Sequence, residues 1–133
     1  MRRALMILGF IAALAPASFG IVVSGDVWGV WSADNNPYEV VGDLRVPPDS
    51  ALVILPGCYI DFRGYYEFKV DTGAVLHAVG TAVDSIFFTR QNIYEGWRGI
   101  RLLDNCDGSQ LSYCIVEWGK AVEYPGLPES KGG

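Results

Sequence analysis

Between Leu44 and Phe62 the sequence reads LRVPPDSALVILPGCYIDF. Three short apolar runs, Leu44–Val46, Leu52–Ile54 and Cys58–Phe62, are separated by Pro47-Pro48-Asp49-Ser50 and Pro56-Gly57. The first and last runs set polar residues, Arg45 and Asp61, between apolar ones, which is the two-residue period of a strand with one buried face; Leu52-Val53-Ile54 is apolar throughout. The turn residues come too soon for any helix to form between them. A chain written this way suits a small coil with three strands in each lap.

The same plan recurs downstream. A second lap runs through Tyr66–Val70, Gly73–Gly80 and Asp84–Thr89, and a third through Gly99–Leu102, Gln110–Ser112 and Cys114–Glu117. Alternation turns Phe68, Val70, Leu76, Ala78, Ile86 and Phe88 inward, and Glu67, Lys69, His77 and Phe87 outward. Leu44 to Phe68 is 24 positions, Leu52 to Val75 or Leu76 is 23 or 24, and Ile60 to Ile86 is 26. Phe68 to Ile100 is 32, with the excess in the loop Arg90–Gly96. A period of 20–30 residues built only from short strands predicts an all-β solenoid of about three coils. An antiparallel sandwich is the competing arrangement, but a two-residue hairpin signal occurs only at Asp107-Gly108.

The chain divides into four parts on this reading. Residues 1–20 carry a secretory leader: Met1-Arg2-Arg3 is basic, Ala4–Ala15 is an uncharged apolar run of 12, and small residues follow at Ala15, Ala17, Ser18 and Gly20. Twelve residues are too few to span a bilayer, which takes about 20. Residues 21–43 form an N-terminal cap, with Trp28 and Trp31 covering the end of the stack. Residues 44–120 are the coils. Residues 121–133 are a loop, expected to mark a truncation point with further coils of the same chain beyond Gly133.

Order among the motifs adds a resemblance. Ser24-Gly25-Asp26-Val27 with Trp31, then Val46-Pro47 with Leu52–Gly57, resembles the start of secreted bacterial right-handed parallel β-helix proteins. Ala78–Thr81 leading to Asp84–Thr89 is similar to their next coil, and Gly96–Ile100 with Leu111–Glu117 to the one after. The likeness covers most of residues 24–120. It implies a right-handed parallel β-helix and export, with a secreted or cell-surface location. Relatives of that kind include adhesin-like surface proteins, polysaccharide lyases and glycoside hydrolases.

Charge and composition narrow the partners. The formal net charge is −5, and removing Arg2 and Arg3 with the leader lowers it to −7. No basic stripe is present, so nucleic acid is excluded as a partner. No membrane span remains once the leader is removed. His77 is the only histidine, and no nucleophile elbow, HExxH or phosphate loop occurs, so no catalytic residue, metal or cofactor is assigned. Asp61, Glu67 and Asp71, with Arg63 or Lys69, are the acids that successive coils would bring closest together. Asp104, Asn105 and Asp107 lack the spacing of a calcium loop. Trp97, Arg98, Arg101 and Trp118 form a candidate polysaccharide or cell-surface glycan contact, with plain packing against the Arg90–Gly96 loop as the alternative. Cys58, in phase with Ile60 and Phe62, is expected as a buried inert thiol. Cys106 and Cys114 are left open between a disulfide and a reduced pair. The expected function is a non-catalytic, glycan-binding or adhesive scaffold; the alternative is the leading end of a carbohydrate-active enzyme whose active site lies in coils beyond this chain.

Overall fold

The computed structural model describes residues 20–120. The leader expected over 1–20 lies outside these residues except for Gly20, and the loop expected over 121–133 lies wholly outside them. The described chain is all-β, apart from a single 3-10 turn at Ala33–Asn35. Its strands are β1 (Ile21–Asp26), β2 (Gly29–Trp31), β3 (Tyr38–Val46), β4 (Ala51–Ile54), β5 (Tyr59–Phe62), β6 (Phe68–Val70), β7 (Val75–Val79), β8 (Ile86–Thr89), β9 (Ile100–Leu102), β10 (Gln110–Ser112) and β11 (Cys114–Val116).

All the strand pairings are parallel, and each joins a strand to one a lap away. The strands fall on three faces. The first holds the start of β1 and of β3, then β5, β8 and β11. The second holds the ends of β1 and β3, then β6 and β9. The third holds β2, β4, β7 and β10 in order. Strand β3 belongs to two faces because Tyr38–Val40 pairs with β5 and Leu44–Val46 with β6. A register shift in β1 between Val23 and Gly25 marks the same corner one layer down. This arrangement of stacked parallel laps is compatible with a β-solenoid. The segment read as a cap, 21–43, contributes β1, β2 and the first part of β3 as paired layers of the stack.

Two of the sequence offsets hold residue for residue. Leu44 pairs with Phe68, and Phe68 with Ile100. Leu52 pairs with Leu76 rather than Val75. The third offset is corrected: Ile60 pairs with Phe88, not Ile86. The turn between the third and first faces is longer in the second lap. Five positions separate Ile54 from Tyr59, but nine separate their partners Ala78 and Phe87.

Alternation then builds the core. The inward columns are Tyr38–Ile60–Phe88–Val116, Leu44–Phe68–Ile100, Val46–Val70–Leu102 and Trp31–Ile54–Ala78–Leu111. Phe68, Val70, Leu76, Ala78, Ile86 and Phe88 are all fully buried, as their parity predicts. Each of these side chains except Ala78 contributes about 1.5–3 kcal/mol of hydrophobic stabilisation. At the last layer the columns end in Leu102, Leu111 and Val116, which are exposed.

Corners are closed by side chains that bridge layers. Asn36 Nδ2 donates to Gly57 O (2.8 Å), and Asn36 Oδ1 accepts from Tyr59 N (2.8 Å). One asparagine thus satisfies two backbone groups that no ladder reaches. Gly57 has φ +84°, a left-handed conformation natural to glycine. Tyr38, stacked on Trp31 with ring centroids 4.4 Å apart, exchanges hydrogen bonds with the Ser32 backbone through its hydroxyl. Trp31 therefore does bury area near the first layer, whereas Trp28 is exposed.

Candidate functional site

Three outward columns follow from the same register. On the second face Asp26, Arg45, Lys69 and Arg101 stand one above another. On the third face the column is Val30, Val53, His77 and Gln110, with no charged side chain in it. On the first face Glu39, Asp61 and Thr89 align, and the Thr89 hydroxyl donates to Glu117 Oε2 at 2.7 Å.

The second-face cations do not form a positive strip. Arg45 donates from Nε to Asp71 Oδ2 (2.8 Å) and lies 3.2 Å from Asp26 Oδ1, while Arg101 is 3.8 Å from Glu67. The hydrogen bond from Arg45 is the largest reason that the Asp71 carboxyl sits below its ordinary range, helped by the Thr72 backbone N–H. Three acids, Asp26, Glu67 and Asp71, offset the three cations Arg45, Lys69 and Arg101, so this face has little net field for a polyanion.

The four residues considered for glycan contact separate. Trp97 is fully buried: it stacks on Phe62 with centroids 3.9 Å apart, and its Nε1 donates to Glu117 O (2.8 Å). It fills the corner that the Arg90–Gly96 loop closes, and it cannot present a face to a sugar. Beside it Arg90 is also buried, donating to Gly96 O and to Glu95 Oε1 (2.7 Å). Gly96 is held left-handed (φ +67°), and a Cβ there would lie 2.5 Å from Trp118 O, so the close approach of the two segments requires glycine. Arg98, Arg101 and Trp118 are exposed.

The acids also regroup. Asp61 is on the first face, and Glu67 and Asp71 flank the second, so the expected trio is not assembled. Asp61 instead stands between Glu39 and Thr89. Its parity is outward, yet it is 1% exposed. Arg63 binds its Oδ2 (Nε, 2.9 Å) and also Glu39 Oε1 (Nη2, 3.3 Å). Asp61 Oδ1 is buried and finds no hydrogen-bond donor among the described residues. Next to this column runs an aromatic one, Tyr59 and Phe87, with centroids 5.6 Å apart. Burial first, then the charges of Asp61 and Glu117, push the Tyr59 phenol above its usual range, so both carboxylates act on one hydroxyl. Among the described residues no three His, Cys, Asp or Glu side chains form a metal-binding group. The sequence pointed to Asp61 but not to Glu39, Thr89 or Glu117, which only the lap register brings to it.

All three cysteines are free thiols. The bridge considered between Cys106 and Cys114 is not formed. Cys106 Sγ donates to Asp71 O (3.0 Å) at the corner between the second and third faces, and Cys114 Sγ to Ala78 O (3.2 Å) at the start of the first face. Cys58 is fully buried, its thiol pushed up by burial to about 11. Burial raises Cys114 as well. Both groups have native values above their unfolded ones. Their contribution to stability is therefore complete below the unfolded thiol range and is lost as pH rises towards about 11. Urea denaturation across alkaline pH should show this decline, and Cys58→Ala should reduce its size. A thiol reagent at neutral pH should label Cys58 only after denaturant is added, since the thiolate is the nucleophile.

Among the described residues no helix is long and apolar enough to cross a membrane. In comparisons with family models, curated proteins and solved structures, the chain finds no match.

Proposed function

We propose that this chain is a right-handed parallel β-helix module of an exported protein, acting as a non-catalytic scaffold that contacts cell-surface or polysaccharide glycan. The observation that carries this reading is the constancy of register. Laps of unequal length still place inward residues on inward residues and outward on outward, from Glu39 through Asp61 to Thr89 and from Arg45 through Lys69 to Arg101. Such a stack holds exterior side chains in rows at the ~4.8 Å strand spacing, which suits repeating surfaces. Right-handedness is supported by the general preference of parallel crossovers. Export is supported by the basic, apolar and small-residue succession in residues 1–20.

Glycan contact falls to Arg98, Arg101 and Trp118, the exposed members of the sequence-derived set. Co-sedimentation with insoluble polysaccharides is expected to retain the chain. Trp118→Ala should cost about 1–2 kcal/mol of binding, the range of an exposed aromatic platform with neighbouring cations. Folding should be unchanged, as Trp118 is 44% exposed. Incubation with pectin or alginate, with and without calcium, should release no product. Product release would replace the scaffold reading with that of a carbohydrate-active enzyme.

A further inference from the structure

The first-face column sets three carboxylates, Glu39, Asp61 and Glu117, against one guanidinium, that of Arg63. Arg63 is committed to Glu39 and to Asp61 Oδ2. The Thr89 hydroxyl proton is turned to Glu117 and is not available to Asp61. That leaves Asp61 Oδ1 buried beside the column without a donor among the described residues. An ionised oxygen in that position is costly unless something compensates it. Glu117 reaches the same neighbourhood, since it accepts from the hydroxyl of Thr89, the residue paired with Asp61 on the next strand.

We propose that Asp61 Oδ1, the Thr89 hydroxyl oxygen and the Glu117 carboxylate hold one hard, calcium-sized cation on the first face, with water completing its shell. The donors are oxygen only, which selects a hard ion over zinc or copper. Thr89 keeps lone pairs for the ion while donating its proton to Glu117. Arg63, bound to both Asp61 Oδ2 and Glu39, offsets one of the three negative charges, and two remain to face the ion. Such a site ties three successive layers together, because Asp61 lies on β5, Thr89 on β8 and Glu117 directly after β11. The acids alone do not carry this reading; the unpartnered, buried Asp61 oxygen does.

The test starts from the full chain stripped with chelator. Calcium titration is followed by thermal unfolding and by terbium emission sensitised through Tyr59 and Trp97. The expected affinity is in the range of weakly charged extracellular sites, roughly 10⁻⁴–10⁻³ M, with a calcium-dependent rise in Tm. Asp61→Asn and Glu117→Gln should each weaken it by at least about tenfold, because affinity follows the charge of the ligands. Glu39→Gln should change it by less than about threefold, since that carboxylate is held by Arg63. Should Asp61→Asn fail to fold, Glu117→Gln, at a less buried position, decides the outcome. Absence of terbium emission and of any Tm change in calcium would overturn the proposal and leave a bound water as the partner of Asp61. An equal response in wild type, Asp61→Asn and Glu117→Gln would also overturn it.

Discussion

Leu76→Asp is expected to abolish folding, while His77→Asp, one position along the same strand, should leave the protein within about 1 kcal/mol of wild type. Leu76 is fully buried and paired with Leu52 in an inward column. An aspartate there buries a carboxylate among hydrocarbon with no cation to meet it. The cost, more than about 4 kcal/mol, approaches the whole stability of a domain this size. His77 points outward between Val53 and Gln110, where a carboxylate remains in water. Far-UV circular dichroism and urea denaturation of the two variants measure the contrast. Equal damage from both would mean that β7 does not have one buried and one exposed edge.

Trp97→Ala is expected to cost about 3–5 kcal/mol, the range for removing a large buried aromatic. The indole stacks on Phe62 and satisfies Glu117 O, so its loss leaves both a cavity and an unpaired carbonyl. It also removes support from the segment that brings Glu117 to Thr89. Trp97→Phe should recover part of the packing but not the hydrogen bond. Urea midpoints for the two variants separate these contributions. Trp118→Ala, at an exposed position, should fall within about 1 kcal/mol of wild type.

The sequence made the inner columns legible because alternation with period two survives any change in turn length. Leu44, Phe68 and Ile100 could be aligned by eye for that reason. The partner of Ile60 could not, because the extra residues between Ala78 and Phe87 carry no hydropathy signal that separates turn from strand end. Trp97 was equally ambiguous. Beside Arg98, and after a polar loop, an aromatic reads equally well as surface or as core until its stacking partner Phe62 is known. Asp61 was singled out, but with the wrong companions. Stacking of successive coils suggested Glu67 and Asp71, but the corner at residues 63–67 carries those to another face. Its true neighbours come from other laps, 22 positions before at Glu39 and 28 after at Thr89.

Every ladder contact among the described residues joins positions well apart in sequence, from 17 for Ile21 with Tyr38 to 33 for His77 with Gln110. No strand can find its neighbour by a tight hairpin. Each segment therefore has no ladder partner until the chain has travelled most of another lap. A layer already formed is the template on which its neighbour is laid down, so assembly propagates layer by layer along the stack.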